Sequence, residues 1–118
     1  MHERLGKCGP LLQILLSEGN HSKRLVVEVC LSEYQLPIRV HGESRDDFIE
    51  KAKHYFEERS GCLKNFFASS GVRIMDELWL TGSLRVELEA QFLFCLMDNP
   101  LFSQIRSIEL PHEIIPDF

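Results

Sequence analysis

LWLTGSLRVELEAQFLFCLM, residues 78–97, carries two opposed structural signals. Its Leu, Glu, Ala, Gln and Met content favours a helix, yet from Leu84 to Phe92 apolar and polar residues alternate without a break, as in a half-buried strand. Wound as a helix, residues 84–97 bring Arg85 and Glu89 to one side and Glu87, Gln91 and Asp98 nearly opposite, so no single polar face results. Extended, they place Leu84, Val86, Leu88, Ala90, Phe92 and Phe94 on one face and Arg85, Glu87, Glu89 and Gln91 on the other. Tertiary context overrides propensity, so the periodicity predicts a strand.

The neighbouring run VRIMDELWL supplies a partner, joined through TGS. A three-residue loop sets Leu80 against Leu84, Leu78 against Val86, Ile74 against Ala90 and Val72 against Phe92, so the apolar faces coincide. In that register Asp76 falls on the apolar face opposite Leu88, where it needs a partner or a bulge. Beyond Phe92 the run is wholly apolar to Met97, which suits a segment buried on both sides by this domain or by a partner.

Further strands are expected earlier in the chain. KRLVVEVCLS puts Leu25, Val27, Val29 and Leu31 on one face with β-branched neighbours. YQLPIRVHG repeats the alternation with Leu36, Ile38 and Val40 inward, and Pro37 confines that strand to an edge. LLQILLSEG reads as a first strand, with an N-terminal helix as the alternative, and IRSIEL as a last short strand before the tail PHEIIPDF. The main helix is SRDDFIEKAKHYFEERSG, from Ser44 to Arg59. Ser44 caps it, Asp46 and Asp47 meet its positive end, and Phe48, Ile49, Ala52, Tyr55 and Phe56 form its apolar stripe. Gly61 is expected to stop it, with one more helical turn burying Leu63, Phe66 and Phe67 before Gly71. The fold class is α+β: an antiparallel sheet of about five or six strands with that helix packed on one face. At 118 residues the chain has the length of one domain, 1–118. The order strand, strand, helix, strand resembles small regulatory domains such as bacterial secretion chaperones and the N-terminal domain of the cell-division inhibitor MinC, whose Phe-rich approach to a strand KNFFASSGVRI is similar to. The MinC resemblance implies a helix where the alternation predicts an extended 84–96, and it carries no site residue.

Composition narrows the function. A net charge of -5 removes the global attraction that drives non-specific nucleic-acid binding. No apolar run approaches the roughly 20 residues of a membrane span, and the N-terminus lacks a clear signal-cleavage site, so a cytoplasmic protein with no membrane contact is expected. Cys8, Cys30, Cys62 and Cys95 form no CxxC and read as small buried hydrophobes, with two disulfides as the alternative. The histidines lack metal-ligand spacing, and no Walker, GxGxxG or GxSxG motif occurs, so no metal and no cofactor is expected.

In the expected hairpin, Trp79 faces Arg85 and Glu77 faces Glu87 on the outer side. The first pair has the composition of a binding hot spot and could stack for roughly 0.5–1 kcal/mol. The second could serve acid–base chemistry if enclosed. The interaction face therefore comprises Trp79, Arg85, Glu77 and Glu87, with Phe94 and Phe102 from the apolar 92–102 segment. The expected function is a non-catalytic protein-interaction module, an adaptor, regulator or secretion-type chaperone whose partner is a second copy of itself. Two alternatives are carried: a small enzyme using Glu77 and Glu87, or Cys62 with His41 or His54, and a nucleic-acid binder using Arg39, Arg73 and Arg85 with Trp79.

Overall fold

The disputed stretch is both things in succession. In the computed structural model, which describes residues 6–17 and 23–111, it forms a strand over Ser83–Glu89 and then a helix over Ala90–Met97. The alternation is the strand's signature, and Leu84, Val86 and Leu88 are buried. Ala90 and Phe92 prolong the pattern past the strand's real end. The wholly apolar run beyond is a helix that sinks Leu93, Leu96 and Met97 into this chain's own core.

The elements follow the order α1 (Pro10–Ser17), β1 (Arg24–Leu31), α2 (Arg45–Ser69), β2 (Arg73–Leu78), β3 (Ser83–Glu89), α3 (Ala90–Met97), a 3-10 turn (Pro100–Gln104) and β4 (Ile105–Glu109). The sheet has four strands in the order β2-β3-β1-β4, every pair antiparallel. That order interleaves two split βαβ units, β1-α2-β2 and β3-α3-β4, the ferredoxin-like arrangement. Its inner face, Leu25, Val27, Val29, Leu31, Leu84, Val86, Leu88, Ile105 and Ile108, is buried in one core with Phe56, Leu63 and Phe67 of α2 and with α3. The other face carries charged and small polar side chains together with Val26 and Cys30 of β1.

Three expected elements are corrected. LLQILL is a helix, because Pro10 occupies its first position without needing a backbone donor and Leu12 and Leu16, one turn apart, are both buried. YQLPIRVHG forms no strand: residues 34–40 belong to no helix or strand, so the sheet has four strands rather than five or six. The main helix runs ten residues past Arg59. Gly61 sits in mid-helix, and the buried stripe Ala52, Phe56, Ser60, Leu63 and Phe67 continues across it. The buried Ser60 hydroxyl is satisfied by the Phe56 carbonyl at 2.7 Å. The helix ends in paired bonds from Gly71 N to Ala68 O, 3.4 Å, and Val72 N to Phe67 O, 2.9 Å, a Schellman closure that uses the positive φ of Gly71. The tail PHEIIPDF lies outside the described residues from His112 onward.

The β2–β3 hairpin exists, but its register differs from the one expected. Leu78 pairs with Ser83, Glu77 with Leu84 and Asp76 with Arg85, after which a bulge at Met75 returns Ile74 to Val86 and Arg73 to Glu87. The turn is thus four residues long, Trp79 to Gly82. Gly82 has φ +71, and a Cβ there would overlap the ring of Tyr34, which lies on the turn and donates its hydroxyl to the Trp79 carbonyl. Gly42 also has positive φ, +87, but faces open space. Gly82→Ala is therefore expected to cost about 2–5 kcal/mol, combining left-handed strain with overpacking, and Gly42→Ala only about 1–2 kcal/mol. Urea unfolding of the two variants checks the difference; equal costs would show that the Tyr34 contact does not hold the turn.

Candidate interaction surface

The long helix outruns the sheet. Its 25 residues span about 37 Å, against about 26 Å for an eight-residue strand, and none of residues 45–51 is buried. The overhang of about 10 Å equals some seven residues, which is the length of that unburied start. Phe48 and Ile49 in it are half-buried. The chain 34–43, which belongs to no helix or strand and turns at 41–42 through a bond from Glu43 N to Val40 O at 3.0 Å, connects β1 to this overhang, and together they make an arm.

Side chains brace the arm where strand pairing does not. Glu43 accepts from Val40 N at 3.1 Å and pairs with Lys51 at 3.1 Å, while Lys51 also donates to Ile38 O at 3.1 Å. The Arg39 guanidinium donates twice to Glu43 O, at 3.3 and 3.1 Å, and Ser44 Oγ accepts from Asp47 N at 3.1 Å as the helix cap. The bond from Val40 N, with help from Lys51, holds the Glu43 carboxyl below its ordinary range. This framework presents Ile38 with 86% and Val40 with 61% of their surface exposed. Both were expected to point inward from an edge strand. The alternation was real, but no strand edge lies alongside to receive it.

Beside the arm stands the β2–β3 turn. Leu31 N donates to Gly82 O at 2.8 Å, and Tyr34 reaches back over the turn, its ring 5.2 Å from Tyr55 and 5.9 Å from Phe56. On the open sheet face at this end, Cys30, Leu78, Trp79, Leu80 and Thr81 line a shallow notch of about 380 Å³ with Glu28, Glu77 and Arg106 at its edges. Leu80 is 62% exposed.

The observed register redistributes the expected site residues. Glu77 and Glu87 do not meet: Glu77 lies opposite Leu84 and turns toward α2, whereas Glu87 lies opposite Arg73 on the open face and pairs with Arg24 at 3.2 Å. Trp79 is half-buried in the turn, with Lys53 Nζ 5.9 Å from its ring centre. Arg85 engages Glu28 at 2.8 Å and Asp76 at 3.8 Å. The bulge and the altered register answer the problem posed by Asp76, which leaves the apolar face for a cationic partner. Phe94 is half-buried on α3. Phe102 is buried, with the Lys7 ammonium 4.5 Å from its ring, and so faces this chain's core rather than a partner. The open face as a whole interleaves Arg24, Arg73, Arg85 and Arg106 with Glu28, Asp76, Glu87 and Glu109.

Cys62 is exposed in a second cleft at the same end, lined by Ser32, Glu33, Glu58, Arg59, Ser103 and Gln104. Neither His41 nor His54 lines it, and His54 instead pairs with Glu58 at 3.0 Å. All four cysteines are unpaired. Cys8 is buried, which pushes its thiol up to about 11, while Cys62 and Cys95 are exposed rather than buried as expected. Among the described residues, no helix is long and apolar enough to cross a membrane. No family model, curated protein or solved structure matches the chain.

The arm's neighbour is locked to the sheet by Lys64. Its ammonium reaches Glu57 at 2.6 Å and Glu77 at 2.8 Å, tying α2 to the end of β2. Partial desolvation, the largest single influence on Lys64, pulls its pKa down, but the two carboxylates outweigh it and the net shift is upward. The Lys64 bond likewise holds Glu57 below its ordinary 4.5. A carboxylate depressed in this way contributes stability that is fully present above the unfolded value and lost as pH falls through the folded one. Lys64→Met should therefore cost about 1 kcal/mol at neutral pH, with the gap to the parent narrowing as pH falls below the ordinary glutamate value of 4.5. Urea titrations from neutral to acid pH check it; a gap that stays constant would assign the cost to lost packing instead.

Proposed function

We propose that the protein is a non-catalytic protein-interaction module that acts as a homodimer, an adaptor, regulator or secretion-type chaperone. The observation that carries this reading is the braced arm with Ile38 and Val40 displayed at its tip. A buried aliphatic side chain is worth about 1.5–3 kcal/mol relative to an exposed one, so covering both tip residues supplies several kcal/mol to association. The brace lowers the ordering cost of binding, because Glu43, Lys51 and Arg39 already hold the segment in place. Arg39, Arg45 and Lys51 around the tip are offset by Glu43, Asp46, Asp47 and Glu50. That balance suits a protein surface better than phosphate or an anionic membrane. The arginines of the open face are interleaved with carboxylates and present no stacking platform of aromatic rings, which again favours a protein partner.

Sedimentation across about 5 to 500 µM chain should show a monomer–dimer equilibrium with a Kd in the micromolar range. A strict monomer at the highest concentration would overturn the homodimer reading.

A further inference from the structure

We draw no further inference here: the strongest candidate, the exposed apolar surface of the arm tip, Ile38 and Val40, beside the notch at the β2–β3 turn, carries none, because Glu28 and Glu77 at the notch edges are already paired with Arg85 and Lys64 and nothing in the structure shows what covers it.

Discussion

The ring of Tyr34 lying on Gly82 is the contact from which the functional end of the molecule is built. Only a residue without Cβ leaves room for that ring, and only one tolerant of positive φ closes the turn beneath it. The turn is thereby held to four residues, which fixes the parity of β2 against β3. With that parity, Glu77 turns inward to Lys64 and Asp76 outward to Arg85. The same ring packs on Tyr55 and Phe56, so the chain leaving β1 is pressed against α2 before it runs out along the overhang. Turn length, strand register, the helix-to-sheet clamp and the arm's starting point share this one origin.

What could be read in the sequence follows from how local each determinant is. The alternation Leu84, Val86, Leu88 is a property of one strand with one buried face, and it was legible. The end of that strand was not, because Ala90 and Phe92 suit either period, and the change to helix is marked by Ala90 N bonding to Lys23 O, far away in the chain. The hairpin was visible in TGS, but its register depends on Tyr34, almost fifty residues earlier, so the neighbours of Trp79 do not follow from the hairpin segment alone. The segment Leu36, Ile38 and Val40 misled for the opposite reason. Its pattern is that of a strand, while its backbone is held by Lys51, Arg39 and Glu43, which no periodicity records. The Glu43 and Lys51 spacing across the Ser44 cap was the available signal, since it lets two side chains close a loop onto the first turns of the following helix.

The open face shows a second constraint. A sheet covered on one side must keep its other side soluble, and here cationic and anionic side chains are mixed over that face and paired as in Arg24 with Glu87 and Arg85 with Glu28, while Glu28 also lies opposite Glu109. Such pairs add little stability when exposed. Their effect is on selection: a surface of mixed sign attracts neither a polyanion nor a polycation strongly. Apolar contact is left to the end of the sheet, at the arm tip and the β2–β3 turn.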